Sequence, residues 1–238
     1  MAESLRWSED FAPRMRTVAV STLPHARAGA NAVQELSAVL ATAVEYLREM
    51  EKRGISPGVV CRRLRFVTAV GRDLFVETAK LRALRALWRR VMEACSISTK
   101  AATVPIHAVA SPRCLTVRDP WTNILRGTTA AYTAVIGGAD VVTVLPFDSL
   151  AGRSGELGRR LAINTNVILR EESYIDRVGD PAAGSYFVER LTSDLCSIAW
   201  DEFQRIEAMG GMVSHLRSGA LARELAESLA GKRRMVAT

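Results

Sequence analysis

The sequence predicts an α/β protein with a parallel sheet, on two observations. Four short apolar runs, at 17–20, 64–70, 104–109 and 140–145, are each followed by a longer stretch with apolar residues at three- and four-residue steps. Such alternation returns the chain to the same strand direction after every crossover, which makes neighbouring strands parallel. A length of 238 residues, 48% hydrophobic and 24% charged, is enough for a packed core, and no short-period repeat or linker divides it. We expect an irregular arm at 1–15, one domain at 16–231 and a basic tail at 232–238.

Taken in order, residues 1–15 mix Trp7, Pro13 and charges without periodicity. The first strand ends in a loop at Pro24 and Gly29, after which Val33, Leu36, Leu40, Ala43, Leu47 and Met50 give one apolar face to a helix over about 30–52. Gly54 stops it. The second strand leads to Asp73, whose carboxylate is placed to cap a helix carrying Phe75, Leu81, Leu84 and Trp88. The third strand tolerates Pro105 only near its start. Asp119 followed by Pro120 predicts the next helix start, and Gly137-Gly138 its end. Beyond the fourth strand come a helix over 156–170, a helix capped by Thr192 and ended by Gly210-Gly211, and a last helix over 213–229. The strands read as buried on both faces, which predicts an apolar concave face left open by the helices.

The charge is +7 with a pI near 9.7, but the cations are spread among acids, so a nucleic-acid partner has net charge as its only support. One stretch departs from that spread: Arg62, Arg63, Arg65, Arg72, Lys80, Arg82, Arg85, Arg89 and Arg90 face only Asp73 and Glu77, which predicts local positive potential. Cys61, Cys95, Cys114 and Cys196 lack the close spacing of zinc or redox motifs and read as reduced, buried thiols. No apolar run is long enough to span a bilayer, and the N-terminus lacks a signal-peptide core, so the expected location is the cytoplasm.

The densest stretch is 159–189. Asn164-Thr165, Glu172-Ser173, Val178-x-Asp180-Pro181-x-x-Gly184-Ser185 and Glu189-x-Leu191-Thr192 resemble the signature of the methylmalonyl-CoA mutase family, and the pattern extends through 113–139 and 29–88. The resemblance implies parallel (βα) units forming about the later half of a TIM-type barrel, with extra C-terminal helices. Members of that family rearrange acyl-CoA thioesters with adenosylcobalamin, so it also implies a coenzyme A channel and a cobalamin-binding domain. Here neither His25, His107 nor His215 sits in the family's cobalt-ligating Asp-x-His-x-x-Gly, and adenosylcobalamin is expected only if supplied with a partner chain.

Further departures follow the same direction. The family's Tyr-His-x-x-Glu-Ala-Gly becomes Leu23-Pro24-His25-Ala26-Arg27-Ala28-Gly29, with the histidine one position late. Its His-x-Gln-Thr-Ser-Gly becomes His107-Ala108-Val109-Ala110-Ser111-Pro112, and its His-Thr-Asn-x-x-Asp-Glu becomes 144–150, with Pro146 and Leu150 in place of polar residues. Ile163 replaces an arginine. Asp119-Pro120-Trp121-x-Asn123 and Gly137-Gly138-Ala139-Asp140 are similar to the small, non-catalytic subunit of heterodimeric members. Arg63-Leu64-Arg65-Phe66 matches Arg-Leu-Ser-Phe, where the arginine contacts coenzyme A phosphate, so Arg63 and Arg65 are the coenzyme A candidates and His25 and His107 the acid–base candidates. Glu171, Glu172, Asp180 and Glu189 are expected to be structural, capping turns or pairing with Arg177 and Arg190. The resemblance implies a subunit that does not isomerise alone and joins a second copy or a chain supplying the other half barrel. The alternative is a cobalamin-independent enzyme acting on an acyl-CoA or carrier-bound acyl group.

Overall fold

The computed structural model describes residues 1–98 and 103–237; Thr238, the end of the expected basic tail, lies outside them. Its elements run α1 (Ala2–Phe11), β1 (Val18–Ser21), α2 (Leu23–Ala28), α3 (Ala32–Glu51), α4 (Pro57–Arg63), β2 (Leu64–Val70) and α5 (Leu74–Ala94). They continue with β3 (Ile106–Ala110), α6 (Thr122–Ile136), β4 (Val141–Thr143), α7 (Glu156–Glu171), α8 (Tyr186–Ala208), α9 (Gly211–Arg217) and α10 (Ala220–Ala237). The four strands lie in one sheet in the order β1-β2-β3-β4, and the registered pairs β1–β2 and β3–β4 are parallel. Sequential order with helical crossovers is the arrangement of a TIM-type barrel wall, and four strands are half of the eight that close one.

Contacts divide the chain into two units: Met1–Val67, Leu84–Pro105 and Cys196–Thr238 in the first, Thr68–Ala83 and Ile106–Leu195 in the second. In the first unit, Asn31 and Gln34 form a reciprocal cap at the start of α3: Asn31 Oδ1 accepts from Gln34 N at 2.9 Å, and Gln34 Oε1 accepts from Asn31 N at 3.0 Å. Leu36, Leu40, Leu47 and Met50 then bury one stripe of α3, as the periodicity requires. Phe66 of β2 meets Trp88 of α5 edge-on, with centroids 5.1 Å apart. In the second unit, Ala131, Val144, Ala162 and Leu169 form a small cluster against which Val142 and Ile175 pack.

Several expectations are corrected. Residues 1–15 open with a helix, because Leu5 and Ser8, one turn apart, bury completely while α1 packs on α4. A helix, α2, occupies the loop expected after the first strand, with Pro24 in its first turn, and α4 precedes β2 with Pro57 likewise placed. Helix α6 begins at Thr122 rather than Pro120: Asp119 adopts φ 48°, so the chain turns first. Thr192 lies inside α8, its hydroxyl donating to Val188 O at 2.7 Å, because α8 starts at Tyr186. The last helix is two, parted at Gly219 with φ 71°, and residues 232–237 of the expected basic tail continue α10, with Lys232 Nζ donating to Ala30 O at 2.7 Å.

The strands are not buried on both faces throughout. Val18 and Val20 are buried while Ala19 and Ser21 are exposed, and β3 alternates buried Ile106, Ala108 and Ala110 with half-buried His107 and Val109. Successive side chains point to opposite faces. The less covered positions carry a cation at Arg65 in the first unit and an imidazole at His107 and a hydroxyl at Thr143 in the second, so these strand positions are not purely apolar as expected.

Candidate functional site

In the first unit, β2 places Arg65 opposite Ala19 of β1, with its side chain exposed. Arg63 ends α4 and is 6% exposed; its guanidinium donates to the backbone carbonyls of Pro13, Ala12 and Met15, the last two at 3.4 Å. Arg63 therefore holds the segment between α1 and β1, and Arg65 is the member of the pair that presents its charge outward. His25 lies in α2, half buried, with Nδ1 buried and unpartnered among the described residues. Burial holds its imidazole below the usual histidine pKa, so it is neutral at pH 7. Nearby, the Thr22 hydroxyl donates to the buried Glu35 carboxylate at 3.0 Å.

In the second unit, His107 is the second residue of β3, with Nε2 2.8 Å from Thr143 Oγ1 on β4. Val109 follows on the same face. At the end of β4, Asp148 accepts from Gly155 N at 2.8 Å, and that bond lowers the pKa of its carboxyl and closes the loop that opens α7. The Pro146–Leu150 stretch is thus built around a backbone cap, with Leu150 41% exposed. His25 and His107 belong to different units.

The expected run of cations is dispersed by the fold. Lys80 is 2% exposed, with Nζ 2.7 Å from Ala69 O and 2.6 Å from Glu77 Oε2. Arg90 covers the Trp200 ring at 3.9 Å. Arg82 donates to Asp180 and, at 2.6 Å, to Glu189. Asp180 and Glu189 are structural, as their place in the signature suggests, but Arg82 is their partner. Arg190 pairs instead with Asp194 at 3.1 Å, and Arg177 lies over Tyr174 at 4.6 Å. Sequence separation hid Arg82, which no local spacing rule connects to residues so far along the chain.

Other motif residues also build the frame. Asn123 is 1% exposed; its Nδ2 donates to Thr116 O at 2.8 Å and Phe147 O at 2.9 Å, while its Oδ1 accepts from Thr116 N at 3.0 Å. Trp121 stacks on Phe147 with centroids 4.5 Å apart. Asp140 Oδ2 accepts from Ile106 N at 2.7 Å, tying the entry of β4 to β3. Of the cysteines only Cys61 is fully buried, its thiol pushed up to about 11 chiefly by burial; Cys95 is exposed, and Cys114 and Cys196 are intermediate.

The three histidines do not fit the cobalt ligand of a cobalamin site. The His215 side chain has no exposure and its Nε2 is 3.1 Å from Glu224, His107 is engaged by Thr143, and the residue two before His25 is Leu23 where the ligating motif has aspartate. Among the described residues, no group of three or more His, Cys, Asp or Glu side chains is arranged to hold a metal ion, and no helix is long and apolar enough to cross a membrane.

A parallel (βα) wall with its strands in sequential order defines the class: part of a TIM-type barrel. The model of the family described as methylmalonyl-CoA mutase matches residues 1–238, so the chain belongs to that family. The match includes the first dozen residues and the tail, which the motifs alone leave outside. The methylmalonyl-CoA mutase small subunit of Streptomyces virginiae is 46% identical over 237 residues, covering 100% of this chain and 38% of that protein. The corresponding small subunit of Propionibacterium freudenreichii subsp. shermanii is 39% identical over 203 residues, covering 85% and 32%. The methylmalonyl-CoA mutase of Escherichia coli (strain K12) is 32% identical over 237 residues, covering 99% and 33%. The chain thus spans well under half the length of these relatives.

Proposed function

We propose that this chain is a barrel subunit of a methylmalonyl-CoA mutase-type assembly that does not isomerise acyl-CoA by itself. The observation that carries the reading is Val109 on the same face of β3 as His107, where the family pattern has a glutamine able to hydrogen-bond. Val109 can neither donate nor accept, so the scaffold persists where the polar contact does not. The names of the relatives as small subunits support a partner chain. That partner, a second copy or a chain supplying the remaining strands, would join at β1 and β4, the two edges of the sheet. Adenosylcobalamin would arrive with it, Arg65 would offer a cation to coenzyme A phosphate, and the assembly would work in the cytoplasm.

The test is turnover of methylmalonyl-CoA to succinyl-CoA in the presence of adenosylcobalamin, by the purified chain and by whatever co-purifies with it from the native host. No turnover by the chain alone and turnover by the assembly are expected. Turnover by the chain alone overturns the proposal. A cobalamin-independent acyl-thioester enzyme is the second reading, favoured by the neutral, half-buried His25, and is scored in the same assay with cobalamin omitted.

A further inference from the structure

Where α7 ends, the chain doubles back on it. Tyr174 adopts φ 52°, and Ile175 N then donates to Leu169 O at 3.3 Å, which sets Ile175 and Asp176 beside the last turn of α7. Between this turn, α7, the end of α6 and β4 lies a surface hollow of about 320 Å³, built wholly of second-unit residues. Its apolar lining includes Val135, Val142, Leu169 and Ile175, and the last three belong to or pack on the cluster that contains Ala131, Val144 and Ala162. Core packing therefore holds that wall in place. Asn166, also in the lining, ties α7 to β4 by donating from Nδ2 to Val142 O at 3.3 Å. Two opposite charges, Arg170 and Asp176, share the same lining and do not pair with each other. Arg170 gives Nε to Glu171 at 2.8 Å, and among the described residues neither its Nη groups nor the Asp176 carboxylate has a partner.

Small-molecule sites are apolar concavities of roughly 300–1,000 Å³ in which a few polar groups fix the ligand's orientation. A hollow at the lower end of that range takes a small ligand, and its unpaired guanidinium and carboxylate call for an anion and a cation on one molecule. We infer that this hollow binds a free α-amino acid with an aliphatic side chain. The side chain lies on Val135, Val142 and Ile175, the α-carboxylate accepts from the two Nη groups of Arg170 as a bidentate pair, and the α-ammonium donates to Asp176. The ammonium also sits past the C-terminal end of α7, where the helix's partial negative charge favours a cation. Matching both charges selects a zwitterion over a fatty acid or an amine, and the apolar lining selects valine or isoleucine over glycine. None of these residues is among those proposed to meet an acyl-CoA.

Isothermal titration calorimetry of the full chain with L-valine at low salt tests it. Saturable one-to-one binding is expected. Isovalerate, isobutylamine and glycine, which lack in turn the ammonium, the carboxylate and the side chain, should each bind at least about tenfold more weakly, equivalent to about 1.4 kcal/mol. Arg170→Gln and Asp176→Asn should each weaken valine binding to the same degree with an unchanged thermal midpoint, because both side chains are exposed. No saturable binding of valine or isoleucine overturns the inference. So does equal affinity for any of the three truncated compounds, or valine binding indifferent to either substitution, which would place the site elsewhere. The titration contains neither acyl-CoA nor cobalamin, so its failure and a failure of the turnover test are distinguishable.

Discussion

Arg82 of α5 donates to Glu189 of α8 across 2.6 Å, and the same Glu189 oxygen accepts from Gly184 N at 3.2 Å. With Asp180 on its other amino group, Arg82 fastens both ends of the turn that the Asp180-Pro181 and Gly184-Ser185 motif encodes. The Gly184 N–H first, and then Arg82, hold the Glu189 carboxyl below its ordinary value of 4.5. A carboxylate with a depressed folded-state pKa contributes stability above its unfolded value, and that contribution is lost as pH falls through the folded value. Arg82→Ala should therefore lower the thermal midpoint by a few degrees at neutral pH, with the gap from the parent closing once pH falls below the ordinary glutamate value. A gap that stays constant on acidification would sink this account.

His25 gives the opposite chemical group with the same acid sensitivity. Its pKa is lowered by burial, so the unfolded chain binds the proton more readily and stability declines as pH falls from the ordinary histidine value of 6.5 through the folded value. His25→Gln should flatten that part of the stability–pH curve. An NMR titration should find the His25 ring neutral at pH 7, and a ring already half-protonated there would refute the assignment.

Gly29 has φ 106°, and a Cβ there would meet Leu229 Cβ at 2.7 Å. Gly29→Ala should cost about 2–4 kcal/mol, combining left-handed backbone strain with overpacking of α10. Gly54, φ 74° with nothing within 4 Å, provides the control. Gly54→Ala should cost only about 1 kcal/mol from strain. Equal losses in chemical denaturation would show that the α10 contact contributes nothing.

The two arginines of the Arg63-Leu64-Arg65 run should separate by assay. Arg63→Ala removes charged donors from backbone carbonyls at 12, 13 and 15 and should cost about 2 kcal/mol of stability. It should leave coenzyme A affinity at low salt unchanged. Arg65→Ala should do the reverse, with little effect on folding and weaker coenzyme A binding. Binding lost in the Arg63 variant alone would return the anion site to that residue.

Much of the frame was legible because its signals are local. The apolar run of β2 and the three- and four-residue steps of α3 and α7 map directly onto elements, and the glycines at 54, 137–138 and 210–211 end helices as expected. The Asn31-x-x-Gln34 spacing is a local signal of the cap found at the start of α3, and the residues at 159–189 carry the mutase signature by themselves. These features depend on a few neighbouring residues, where backbone sterics and hydrogen bonding leave few options.

Tertiary structure decided what side chains do with partners distant in sequence. It made α1 a helix by burying Leu5 and Ser8, spent Arg63 on the chain's own carbonyls and left Arg65 outward. It gave Asp180 and Glu189 to Arg82 rather than to the nearer Arg177 and Arg190. A charge finds its lowest free energy with whichever opposite group the packed chain brings within a few ångströms, and that choice belongs to the fold because separation along the chain does not determine separation in space.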